Sequence, residues 1–194
     1  MEREVLDRRA FAELRRLNAA FLGLIHHCEG SAMASRLDCR SGLSEMIAGL
    51  DPDQAEMLCT TRAALFSLKL DTRPGQQMGV AEQARVSGGS ADELLVREFG
   101  LVASSFAWHL SQTSPMAAAL VLGWSRERVL ELGALSLADV VRATLACKPA
   151  VTLKMWAHPR FWPDLLSSVR DPGDKGWEVA RAWSAQFISQ RPRK

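Results

Sequence analysis

LDPDQAEMLCTTRAALFSLKL (Leu50–Leu70) and LSLADVVRATLACKPAVTLKM (Leu135–Met155) are 21 residues each and align without a gap at a spacing of 85. Both close on the same signature, Ser67-Leu-Lys-Leu in the first and Thr152-Leu-Lys-Met in the second. Ahead of that ending each carries a helix-like stretch; in the first, Ala55, Leu58 and Cys59 fall on one face over Asp53–Thr61. The endings, with β-branched and aromatic neighbours over Ala64–Leu70 and Ala150–Met155, predict one short strand per block. Chance likeness between two segments rich in Ala and Leu is the plain alternative. The gapless register and the shared ending argue against it.

The likeness continues upstream. LNAAFLGLIHHCEGSAM (Leu17–Met33) resembles LVASSFAWHLSQTSPM (Leu101–Met116), with one residue gained or lost. Met33 and Met116 are 83 apart, against 85 for Leu50 and Leu135, so the second copy holds two extra residues between these points. Each copy therefore reads as a long helix, a short helix pair, another helix and a short strand. The first long helix shows its stripe at Phe11, Leu14, Leu17, Phe21, Leu24 and Ile25. In the second, Asp92 and Glu93 suit the helix N-terminus, where the backbone N–H groups favour negative charge. A unit of roughly 55 residues is barely large enough to bury its own core. Two copies packed together remove that difficulty, as a homodimer would. The expected architecture is mainly α, with the two copies paired as an intrachain pseudo-dimer.

Between Asp71 and Ser90 the sequence DTRPGQQMGVAEQARVSGGS holds no persistent apolar face and reads as a linker. The expected organisation is a first repeat over 1–71, a linker over 72–91, a second repeat over 92–156 and a Trp-rich helical tail over 157–194. Charge separates the halves. Residues 1–100 hold 12 Lys/Arg and 15 Asp/Glu, whereas residues 101–194 hold 12 and 7. All six Trp lie in the second half, so a polyanion contact favours that half.

Met116–Leu132, MAAALVLGWSRERVLEL, meets the steric needs of a helix-turn-helix. Ala119 is small where a second helix crosses the first. Gly123 permits a left-handed turn residue. Trp124 follows as an apolar anchor, and Ser125 is a favoured N-cap. Val129 and Leu132 point back to the core, which leaves Arg126 and Arg128 near the start of the second helix, where a recognition helix meets bases and phosphates. Glu127 and Glu131 oppose phosphate. Glycine-turned helix pairs are also common as plain structure in all-helical proteins, so these residues alone leave both readings open. In the first copy, RLDCRSGLSEMIAGL (Arg36–Leu50) places Asp38 at the turn and keeps Arg36 and Arg40 nearby.

GSAM (Gly30–Met33), RLDCRSGLSEMIAGL and LDPDQAEMLCTTRAALFSLKLD (Leu50–Asp71) follow the LNAAFLGLI helix in an order that resembles the FlhD family, the D subunit of the bacterial flagellar master regulator and its relatives that switch on conjugative elements. SPM (Ser114–Met116), LGW (Leu122–Trp124) and LSLADVVRATLACKPAVTLKM repeat the theme. The resemblance implies two tandem FlhD-like helical repeats and a transcription activator subunit of an obligately dimeric type. It implies work in complex with DNA and a zinc-containing, C-type (FlhC-like) partner, whose four-cysteine cluster this chain lacks. The DNA-contacting candidates from the helix-turn-helix reading are Ser125, Arg126, Arg128, Arg36 and Arg40. The tandem fusion and the long tail depart from the family pattern, and an anti-activator or adaptor that never touches DNA is the other outcome of the same architecture.

In the tail, Phe161, Trp162, Leu165 and Leu166 suit a short helix on the body. Val179, Trp183 and Phe187 then recur at four-residue spacing, flanked by Trp177 and Ala180. Such a helix either docks on its own core or offers Trp177, Trp183 and Phe187 to another protein. The terminal RPRK would add only sequence-blind phosphate contacts.

Catalytic and cofactor signatures are not found. Cys28, Cys39, Cys59 and Cys147 form no CxxC pair, and apolar neighbours mark Cys28, Cys59 and Cys147 as core filler. His26 and His27 splay about 100° apart on a helix, so they do not chelate one ion and read as half-buried helix residues. His109 and His158 have no carboxylate or thiol at a telling spacing. SGGS (Ser87–Ser90) lacks the lysine and context of a phosphate loop. No apolar run approaches the roughly 18 residues that span a bilayer, and MEREVLDRRAF has no signal-peptide core. The expectation is a cytoplasmic regulatory protein with no enzyme activity, metal, cofactor or small-molecule substrate.

Overall fold

Short polar side chains open most of the helices among the described residues. Asp7 accepts a hydrogen bond from Ala10 N at 2.7 Å and opens α1 (Arg8–His27). Ser31 opens α2 (Ala32–Arg36), and α3 (Ser41–Ala48) follows. At α4 (Pro52–Cys59), Asp51 and Gln54 form a reciprocal capping box, with Pro52 in the first turn where its missing N–H costs nothing. Strand β1 (Phe66–Leu68) ends this half. Ser90 then caps α5 (Ala91–Thr113), one residue ahead of the expected boundary, with Asp92 and Glu93 in its first turn. After α5 come α6 (Pro115–Leu122), α7 (Arg126–Ala134), α8 (Leu137–Ala146), β2 (Val151–Leu153) and α9 (Phe161–Arg170). These elements belong to a computed structural model that describes residues 6–37, 41–70, 90–147, 149–154 and 160–170.

The chain is mainly helical, as its periodicity predicts. Long helix, short helix pair, helix and strand occur in that order before residue 71 and again after residue 89. The caps Asp51 and Ser136 and the strands β1 and β2 all stand 85 apart, the spacing of the two quoted blocks. β1 pairs antiparallel with β2, matching Phe66 with Leu153, Ser67 with Thr152 and Leu68 with Val151. At a spacing of 85, Ser67 corresponds to Thr152, so the middle pair joins corresponding residues and the outer pairs exchange them. The flanking backbone bonds obey the same exchange: Lys69 N donates to Ala150 O at 2.7 Å, and Lys154 N donates to Leu65 O at 3.0 Å.

The long helices lie against each other and carry the core. Leu14, Leu17, Asn18, Phe21, Leu22 and Ile25 are buried on α1. Val96, Phe99, Gly100, Ala103, Ser104 and Ala107 are buried on α5, a constant shift of 82. The sequence likeness had set Leu17 against Leu101, but Leu101 is only half-buried and its neighbour Val102 is 54% exposed. Packing against the strand entry explains the two-residue correction. Asn18 Nδ2 donates to Ala63 O at 3.0 Å and lies 3.4 Å from Cys59 O, while its Oδ1 accepts from Leu65 N at 3.0 Å. Gly100 takes the matching place on α5, with its Cα facing Thr144 and Ala150, the residues 85 beyond Cys59 and Leu65. Phe21, Phe66 and Phe99 pack ring against ring with centroids 5.2–5.7 Å apart, uniting α1, β1 and α5.

Helix α9 docks on α3 and α4 through Phe161, Trp162, Leu165, Leu166 and Val169, all buried, in agreement with the expected short helix. Trp162 Nε1 donates to Lys154 O at 2.8 Å, and Arg170 donates to Met46 O at 3.3 Å. Cys28 and Cys59 are buried free thiols, and burial raises both above the ordinary thiol range. Cys147 is only partly buried. His26 and His27 are exposed rather than half-buried, because they fall between buried Ile25 and Cys28 on the face of the helix opposite its apolar stripe. His27 Nε2 lies 3.4 Å from Asp92 Oδ1 on α5. Cys39, Asp38, the 72–89 connector and the tail beyond Arg170 lie outside the described residues.

Candidate functional site

The helix pair α6–α7 forms as its sequence demands. Gly123 takes a left-handed conformation (φ 67°), and its N–H and that of Trp124 both bond to Ala119 O at the end of α6. Ser125 then caps α7, its hydroxyl accepting from Arg128 N at 3.3 Å. Val129 and Leu132 are fully buried. Gly133 lets α7 approach α5 closely, since a Cβ there would stand 3.3 Å from Ser111 O.

The candidate DNA-binding residues do not behave alike. Ser125 and Arg126 are exposed at the start of α7. Arg128 is turned inward: its guanidinium stacks over the Trp124 ring at 4.1 Å and donates to Leu68 O of β1 at 3.1 Å. Burial lowers its proton affinity, with Glu131 acting in the opposite direction. This corrects the expectation that Arg126 and Arg128 stand together as groove readers. The i, i+2 spacing puts them on different sides of α7, and the strand beneath offers Arg128 an open carbonyl. Arg36 is exposed but pairs with Glu93 of α5 at 2.5 Å, so its charge is largely balanced across the two halves. Arg40 lies outside the described residues, as do Trp177, Trp183 and Phe187.

One residue at this site carries no functional signal in the sequence. Lys154, the lysine of the Thr-Leu-Lys-Met ending, is 7% exposed, and its Nζ donates to Val121 O at 3.1 Å. Burial holds its amine down at about 8. Its counterpart Lys69 is exposed. The same Val121 carbonyl accepts from Ala64 N of the first half at 2.9 Å, so the C-terminus of α6 is held from two directions. Only the paired lysines of the repeated ending hint at the position, and nothing local tells which of them is buried.

A second surface lies between the start of α1 and the middle of α5. Leu101, Val102, Phe106 and His109 face Asp7, Arg9 and Glu13 across an open groove. Among the described residues, no group of three or more His, Cys, Asp or Glu is placed to hold a metal ion, and no helix is long and apolar enough to cross a membrane. Comparison of the chain with protein-family models, with curated proteins and with solved structures finds no match in any of the three.

Proposed function

We propose that this chain is an FlhD-like regulatory subunit built by tandem duplication, its two halves forming within one chain the dimer that such subunits otherwise form from two. The observation that carries the reading is the strand ladder. A two-fold axis passing between Ser67 and Thr152 requires the pairing Phe66–Leu153 and Leu68–Val151, with the reciprocal bonds from Lys69 N and Lys154 N, and that is the pairing found. The shared element order and the 82-residue shift between buried faces of α1 and α5 lend further support. On this reading the chain acts in the cytoplasm by assembly, recruiting a C-type, FlhC-like partner to a promoter and activating transcription without a chemical step. Arg126, presented at the start of α7 and capped by Ser125, is the residue for DNA.

The inward position of Arg128 and the ion pairing of exposed Arg36 with Glu93 favour a second reading, in which the same pseudo-dimer is a protein-interaction adaptor or anti-activator that does not touch DNA. A gel-shift titration with and without a co-expressed C-type partner separates the two. A shift that depends on the partner and weakens with Arg126→Ala supports the regulator. Stable partner binding with no shift of DNA at low salt supports the adaptor. Loss of both, with no DNA shifted at low salt and no C-type protein bound, sinks the proposal.

A further inference from the structure

The turn of the α6–α7 pair is fastened at three points, two of them on the other half of the chain. Ala64 N and Lys154 Nζ both reach Val121 O, and Arg128 reaches Leu68 O. Ala64 leads into β1 and Leu68 ends it, both in the first half; Lys154, of the second half, is bonded to the first through its backbone N–H to Leu65 O. The first half's helix pair is held in the reverse sense, Leu37 O accepting from Leu153 N of β2 at 2.8 Å. Lys154 Nζ also lies 3.4 Å from where a Cβ at Gly123 would stand, so the lysine packs beside the left-handed turn. By contrast, Arg126 faces solvent and takes no part in this fastening.

From these contacts we infer that Arg128 is a positioning residue, clamping α7 to the strand of the opposite half so that the joined halves together set how Arg126 is presented. The inference rests on the regulator reading for its consequence, but the clamp itself does not. A guanidinium stacked on an indole and bonded to a carbonyl has its charge and its geometry committed. Its removal frees the α7 end of the pair while leaving the outward charge of Arg126 in place. Binding energy at Arg126 is then spent on re-ordering the helix.

Two measurements on the full chain test this. The first is amide hydrogen exchange over 126–134. Arg128→Ala should speed exchange there by about tenfold or more, on the order of one charge-assisted hydrogen bond, with α1 unchanged. Arg126→Ala should leave exchange as in the parent, and Arg128→Lys, which keeps a donor of similar reach, should restore most of the protection. Parent-like protection in Arg128→Ala, or equal loss in Arg126→Ala, overturns the clamp. Should Arg128→Ala fail to fold, Trp124→Leu carries the same test by removing the ring under the guanidinium, with faster exchange over 126–134 expected and parent-like exchange overturning the clamp. The second measurement is the salt dependence of binding to a mixed-sequence duplex of about 30 base pairs, with the C-type partner present. Losing a phosphate contact reduces the slope of log K against log salt by about 0.9. Arg126→Ala should show that reduction, whereas Arg128→Ala should lower affinity with the slope unchanged. A slope reduced by Arg128→Ala makes it a phosphate contact and overturns the inference. Absence of DNA binding by the parent chain counts against the regulator reading alone, and the exchange experiment then decides the clamp.

Discussion

Lys154→Met, compared with the parent chain at pH 7 and pH 10, probes the buried amine beside the α6–α7 turn. The amine is 7% exposed, has the Val121 carbonyl as acceptor at 3.1 Å, and no carboxylate pairs with it among the described residues. Its folded value of about 8 lies below the ordinary 10.5. Below pH 8 both folded and unfolded chains carry the proton, and folding brings a charge into the core. That gap costs about 3 kcal/mol, at about 1.4 kcal/mol per pH unit. Between pH 8 and 10.5 the unfolded chain holds a proton that the folded chain has released, so stability from this group rises with pH. It is lost again as pH falls through 8.

Replacing the amine with a thioether removes this dependence. At pH 7 the methionine variant should be more stable by about 2 kcal/mol, the charge cost less about 1 kcal/mol for the lost bond to Val121 O. At pH 10 the parent should regain about 2.5 kcal/mol of the difference. Urea titrations followed by far-ultraviolet circular dichroism supply both values. The buried thiols Cys28 and Cys59 act in the opposite direction, because their raised values withdraw stability as pH climbs through the thiol range. They are common to both proteins and cancel in the difference. A difference between variant and parent that stays constant within about 0.5 kcal/mol from pH 7 to pH 10 refutes the reasoning.

Asn18→Leu should cost about 3 kcal/mol in chemical denaturation, because Ala63 O and Leu65 N lose their buried partner at once; a loss under 1 kcal/mol on that scale would mean the strand entry is not held by Asn18. Ser104 Oγ is buried with no hydrogen-bond partner among the described residues, so Ser104→Ala should raise the thermal midpoint, by about 1 kcal/mol in stability. A lowered midpoint would reveal an unrecognised partner. Gly123→Ala forces a side chain into a left-handed residue beside Lys154 and should cost about 1–2 kcal/mol, read as faster hydrogen exchange in α6 and α7. Unchanged exchange would deny the turn its left-handed constraint.

Local chemistry is why much of the fold is legible in the sequence. Ser125 caps α7, Gly123 turns left-handed, Asp92 and Glu93 occupy the first turn of α5, and the two Lys-containing endings form strands. Each follows from a side chain acting on its own backbone within a few residues. The buried stripes of α1 were equally visible, since a helix repeats every 3.6 residues whatever it packs against. The tail helix over Phe161–Arg170 declared itself the same way.

What the sequence by itself determined, then, was the set of elements, their order and their apolar faces. Tertiary structure alone decided their registers and the fate of individual polar groups. The long helices correspond at 82 residues, not at the 84 implied by Leu17 and Leu101, because Asn18 and Gly100 must meet the strand entries. Of two identical lysines one is buried and one exposed, and of two neighbouring arginines one faces solvent while the other stacks on Trp124 and reaches Leu68 O. The physical reason is the same throughout. Periodicity and capping are properties of a segment, but a hydrogen-bond partner 33 or 60 residues away exists only once the chain has closed on itself.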